Sequence, residues 1–119
     1  MLFAIFSLGA ILYVLIELLW RGKSHLSMAL AGGTSLLLLF GLRGLPLILF
    51  CLFGSVLITA VEFLTGSVVN LWLRLDVWDY SGRKHNLYGQ VCLRYTGYWA
   101  LLCVPAYFLL DFVYRLPFP

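Results

Sequence analysis

Four apolar runs, each near the length of a bilayer-crossing helix, take up most of this chain's 119 residues. A helix needs about 20 consecutive apolar residues to cross the ~30 Å hydrocarbon layer. The runs lie at about residues 2–20, 26–42, 46–74 and 90–114, and a polar stretch at about 75–89 separates the last two. Hydrophobic types make up 63% of the chain and charged types 11%, with a mean hydropathy of +1.00. A soluble domain carries roughly 25% charged residues. The expected fold class is therefore all-α and integral to the membrane: one domain, residues 1–119, of four transmembrane helices. Spanning strands are not expected, because open sheet edges cannot face lipid. The first run starts at Met1 without the basic n-region or cleavage site of a signal peptide, which predicts a retained membrane helix.

The punctuation between the runs supports this division. "RGKSH" (Arg21 to His25) closes the first. In "GLRGLP", Gly41 and Gly44 flank Arg43, and Pro46 suits the first turn of the next helix. The third run would extend roughly 43 Å as a helix, which predicts tilt or projection past the headgroups. Pro105 predicts a kink in the fourth. Helices 1 and 3 each carry one glutamate, Glu17 and Glu62, and "IELLWRG" aligns loosely with "VEFLTGS". Two repeated helix pairs are one reading of that alignment.

Orientation is set by Lys and Arg. Arg21, Lys23, Arg74, Arg83, Lys84 and Arg94 fall on one side, against Arg43 and Arg115 on the other. The expectation is a bacterial inner-membrane protein with both termini on the non-cytoplasmic side. The net charge of +3 reflects this asymmetry. The basic residues are too few, and too close to a lipid interface, to predict nucleic-acid binding.

Glu62 is the sharpest candidate for function, since an ionised carboxylate is costly in mid-membrane. Ser55, Thr59, Glu62, Gly66 and Asn70 are spaced at steps of 4, 3, 4 and 4, which sets them on one stripe that must face protein or water. Glu17 is one turn before Arg21, which predicts an i,i+4 ion pair, and Tyr13 shares its face. Were Glu17 and Glu62 to approach each other, they could share a proton. The polar stretch adds Trp78, Asp79, Tyr80, Ser81, His85 and Asn86. As a bland alternative, Trp78 and Tyr80 anchor the headgroup layer while Asp79 and Ser81 make a turn. Folded inward, the same loop would cover a cytoplasm-facing cavity. Asp111 and Arg115 predict a structural ion pair. Cys51, Cys92 and Cys103 predict buried free thiols. His25, His85 and the scattered carboxylates lack metal-ligand spacing, so no metal or cofactor is predicted. No serine elbow, P-loop or dinucleotide-binding glycine pattern occurs.

"VEFLTGSVVN" (61–70), "WDYS" (78–81), "NLYGQVCL" (86–93) and Trp99 resemble the ABC-transporter type IV (CmpB-like) membrane proteins. The resemblance covers about residues 57 to 99. It rests on Glu62, Gly66, Trp78, Asp79, Tyr80, Ser81, Asn86, Gly89, Cys92, Leu93 and Trp99. Many members carry proline and an aromatic where this chain has Lys84 and His85. The resemblance implies a small multi-spanning protein of transport type. The function expected is transporter-like or permease-like, in a homo-oligomer surrounded by membrane lipid. Glu62 would bind a proton, a cation or a small solute, with Glu17 assisting and the WDYS loop at the cytoplasmic mouth. A partner ATPase is left open. The alternatives are an interfacial enzyme or lipid-binding protein using Asp79, His85 and Glu62, and a structural accessory subunit.

Overall fold

The computed structural model describes residues 1–75, 78, 82, 85–89 and 91–117. Four helices form, as the apolar runs predict: α1 (Leu2–Arg21), α2 (Leu26–Gly41), α3 (Leu47–Gly66) and α4 (Leu93–Tyr114). α3 runs on through a π-helical segment, Ser67–Trp72. Among the described residues, three spans are long and apolar enough to cross a membrane: Leu2–Arg21, Leu47–Trp72 and Leu93–Tyr114. α2 is shorter; its 16 residues reach only ~24 Å. The long dimension of the molecule is 43 Å, which matches a bilayer of ~40–45 Å including headgroups. Large apolar side chains such as Phe3, Leu19, Ile48, Leu64 and Leu101 lie exposed. That arrangement is stable only against lipid tails.

Local signals set the ends. α1 stops at Gly22, whose φ of 75° is left-handed and whose N–H reaches the Leu18 carbonyl at 3.0 Å. His25 caps α2, its Nδ1 accepting from the Ser27 N–H at 3.1 Å. Pro46 precedes α3 as its N-cap. α4 is continuous from Leu93 to Tyr114 with Pro105 inside it. Ahead of α4 lies one feature outside the all-helix expectation. Asn86–Leu87 (β1) pairs antiparallel with Val91–Cys92 (β2), in register Asn86↔Cys92 and Leu87↔Val91. The rule against lipid-facing sheet edges constrains segments that cross the bilayer; a two-residue ladder at a helix end satisfies its backbone locally.

The helices pack mainly in sequence order: α1 on α2, α2 on α3, α3 on α4. α1 and α2 approach closest, through glycines. A methyl placed on Gly32 would stand 2.3 Å from the Tyr13 Cβ, and one on Gly9 would stand 2.5 Å from the Gly32 carbonyl oxygen. Close backbone approach through small residues is a common way membrane helices gain van der Waals contact. The apolar core, including Ile5, Leu39, Phe50, Ile58, Cys103 and Leu110, fills the half of the bundle near the N-terminus of α1. A second cluster of Tyr13, Met28 and Trp78, with Trp99 against it, fills the opposite half. At the first end, the Arg43 guanidinium lies 4.1 Å from the Phe40 ring centre and 4.7 Å from that of Tyr114. The Asp111–Arg115 pair predicted on α4 forms at 3.2 Å in an exposed position.

Gly32→Ala should therefore overpack the α1–α2 contact and cost about 1–3 kcal/mol. Gly97→Ala, in α4 with nothing near the added methyl, should gain roughly 0.5–1 kcal/mol from helix propensity. Thermal unfolding in mild detergent should move in opposite directions for the two variants. A Gly32→Ala protein as stable as the parent would show that the α1–α2 approach is loose.

Candidate functional site

The site is built on the second cluster. Tyr13 lies on the buried face of α1, one helical turn before Glu17, which lies one turn before Arg21. The 4-residue steps hold the three side chains in a ladder along that face. Across the bundle, the stripe on α3 turns Ser55, Glu62 and Gly66 into the interior. Glu62 is 4% exposed. The Tyr13 hydroxyl donates a hydrogen bond to Glu62 Oε1, joining α1 to α3. The Glu17 carboxylate, also buried, accepts from Arg21 Nε at 2.5 Å. Glu17 and Arg21 lie within electrostatic range of Glu62. The two carboxylates thus belong to one polar region while each keeps its own donor.

Aromatic rings close around this pair. Trp99 of α4 stacks on Tyr13 with ring centres 5.3 Å apart. Its indole Nε1 lies beside the Glu62 carboxylate without hydrogen-bond geometry, and it has no other partner among the described residues. Trp78 is 5% exposed and packs with Tyr13 and Met28. The aromatic that heads the polar stretch therefore points into the protein and does not act as a headgroup anchor. Asn70 explains part of its placement: the Asn70 Oδ1 accepts from the Trp78 backbone N–H at 3.4 Å. Asn70 sits in the π-helical segment, where the Leu73 N–H reaches back five residues to the Val68 carbonyl at 2.9 Å. Such widened turns change the facing of the residues beyond them, and they are frequent at functional sites.

The other stripe residues serve packing. The Thr59 hydroxyl lies 2.8 Å from the Thr96 hydroxyl of α4, and the Ser55 hydroxyl donates to its own helix at the Leu52 carbonyl. Of the remaining predicted site residues, His85 is exposed with a left-handed φ of 56°. Asn86 is described through its backbone, in the β1–β2 ladder. Asp79, Tyr80 and Ser81 lie outside the described residues. Tyr13, Arg21 and Trp99 were not among the predicted ligand-binding residues, although the Tyr13, Glu17, Arg21 spacing on one helix face was a signal for the first two.

A family model described as "Putative ABC-transporter type IV" matches residues 2–116. The chain belongs to that family. The match covers nearly the whole chain, well beyond the 57–99 segment that carries the resemblance in sequence. Comparison with curated proteins and with solved structures finds no match. Within this type IV chain, Glu62, Trp78 and Trp99 lie in or against the buried cluster, and Gly66 is buried on α3. The geometry can hold a proton between a carboxylate and a phenol, and it provides a second carboxylate neutralised by arginine.

Tyr13→Phe removes the donor from a buried carboxylate and should destabilise by about 1–3 kcal/mol. Glu62→Gln in the Tyr13→Phe background should cost less than in the parent. A double-mutant cycle on thermal unfolding checks this, and strict additivity would show that the two groups are uncoupled.

Proposed function

We propose that this type IV chain is a small transporter-like membrane protein in which Glu62 takes up and releases a proton or small cation. Tyr13 positions the carboxylate, and the Glu17–Arg21 pair tunes the field around it. The observation that carries this reading is the buried Glu62 carboxylate bonded across the bundle to Tyr13. Intramembrane carboxylates are costly, and they characteristically mark ion or proton pathways. Trp78, held by Asn70 against Tyr13, covers the cluster from the loop side, which the charge asymmetry assigns to the cytoplasm. Four helices make a thin wall for a solute path, so the working unit is a homo-oligomer in the inner membrane. The 119 residues carry no P-loop, and in this reading they supply a membrane-spanning part. The interfacial-enzyme alternative draws on Asp79 and His85. Asp79 lies outside the described residues and His85 is exposed, so no specific observation favours that reading.

A hydrophobic carbodiimide, which couples to protonated carboxyls inside the membrane, should label the protein once, at Glu62, by peptide mass. In proteoliposomes with an internal pH dye and a potassium diffusion potential, the parent should move protons, and carbodiimide should block the movement. Glu62→Gln should elute as the parent does in gel filtration, resist labelling and show no flux above empty vesicles. Parental flux in this variant would remove Glu62 from the mechanism.

A further inference from the structure

The bundle is closed along three of its four sides and open along the fourth. α1 packs on α2, α2 on α3 and α3 on α4, while α1 and α4 meet through side chains such as the Tyr13–Trp99 and Trp20–Tyr98 ring pairs. Two cavities lie along this open side. One, of about 420 Å³, is apolar and reaches from Gly9 and Leu12 of α1 to Ala106 and Leu109 of α4. The second, of about 360 Å³, lies at the polar end among Glu17, Trp20, Arg21, Tyr95 and Tyr98. Ile16, Trp99 and Leu102 line both cavities, so together they form a single groove that is apolar at one end and charged at the other.

Its length identifies what fits. From Gly9 to Arg21 the groove covers ~18 Å of α1, and from Tyr95 to Leu109 ~21 Å of α4. One leaflet of the hydrocarbon core is about 15 Å deep. A packed helix from a second copy would use the whole span; this groove begins at the interface and ends near mid-membrane. The charged end supplies the head contact. Arg21 spends its Nε on Glu17, and its Nη2 is buried without a partner among the described residues, so the guanidinium holds an unsatisfied donor beside the charged end of the groove that it lines. Arginine matches phosphate oxygens in two-pronged geometry. Trp20, Tyr95 and Tyr98 surround it with rings of the kind that favour the membrane–water boundary.

We propose that the α1–α4 groove binds one phospholipid from the leaflet on the Arg21 side. Its phosphodiester sits at Arg21, and an acyl chain lies past Ile16, Trp99 and Leu102 toward Gly9. The site shares Arg21 and Trp99 with the surroundings of Glu62, but lipid binding does not require proton or cation exchange there.

Native mass spectrometry of the protein in mild detergent, with added phosphatidylethanolamine or a diacylglycerol of the same chains, tests this. The parent should retain one phosphatidylethanolamine per chain and release the diacylglycerol. Arg21→Gln should weaken retention about tenfold, the worth of a charged hydrogen bond. Leu102→Trp fills the groove wall without touching Arg21, and it should abolish retention while thermal unfolding stays near parental. Glu62→Gln should retain lipid as the parent does, whatever its effect on proton flux. Equal retention of the two lipids would overturn the proposal. So would parental retention in Leu102→Trp, or a lipid-free dimer cross-linked through Leu102→Cys.

Discussion

A carboxylate inside an apolar bundle is the constraint around which this structure is organised. Placing a charged side chain at the middle of a membrane helix costs about 2.5–3.5 kcal/mol on insertion scales. The chain offsets this by bringing a phenol from α1 onto Glu62 of α3. That contact spans helices that are not sequential neighbours in the bundle, so it requires α1, α2 and α3 to be in register. The glycines of α1 and α2 supply the register. With Gly32 facing the Tyr13 Cβ, Tyr13 can sit deep enough for its hydroxyl to reach across. The same close approach draws α1 toward α2. The bundle thus has an apolar half that packs and a polar half that meets.

How much of this was legible in the chain depends on which physical rule carried the signal. Length and hydropathy were enough for the four helices, because the bilayer fixes the length of a span. The 3–4 spacing around Glu62 identified the face of α3 that turns inward, and the four-residue step identified the Glu17–Arg21 pair. These are local periodicities. The Tyr13–Glu62 bond was out of reach, since its partners are 49 residues apart and no periodicity links two helices. Trp78 was ambiguous for a related reason. Tryptophan suits both a headgroup layer and a buried ring cluster, and the choice is made by Asn70 and by the space beside Tyr13. The small β1–β2 ladder was missed because two residues are too few to show alternation. Left-handed backbone occurs at His85 just ahead of β1 and at Tyr88 and Gly89 in the turn, and of these glycine alone signals that conformation.

The Glu17–Arg21 pair shows how two buried carboxylates can share a region while each keeps a different partner. Glu17 is bound to its own cation at 2.5 Å, so its charge is largely compensated before Glu62 feels it. Glu62 has a neutral donor instead. The partners differ: Glu17 is half of an ion pair with Arg21, and Glu62 is bonded to a phenol. A sequence with two glutamates at matching positions in two helix pairs suggests equivalence. Their surroundings make them unlike.

The widened turn at the end of α3 links this acid to the loop. In an unbroken α-helix the Leu73 N–H would bond to the Val69 carbonyl; here it bonds to Val68, and the Leu75 N–H takes Val69. The extra residue in the turn changes the facing of the side chains from there on relative to Glu62, and Asn70 lies within the turn itself. Because the Asn70 side chain accepts from the Trp78 backbone, the position of Trp78 over Tyr13 depends on that turn. Tightening it to a regular helix would reorient the Asn70 side chain and withdraw the acceptor. The hydroxyl that serves Glu62 and the ring that covers it are therefore held from opposite sides, one by the glycine contact of α1 with α2 and the other by a single register shift in α3. A change in either reaches the carboxylate through Tyr13.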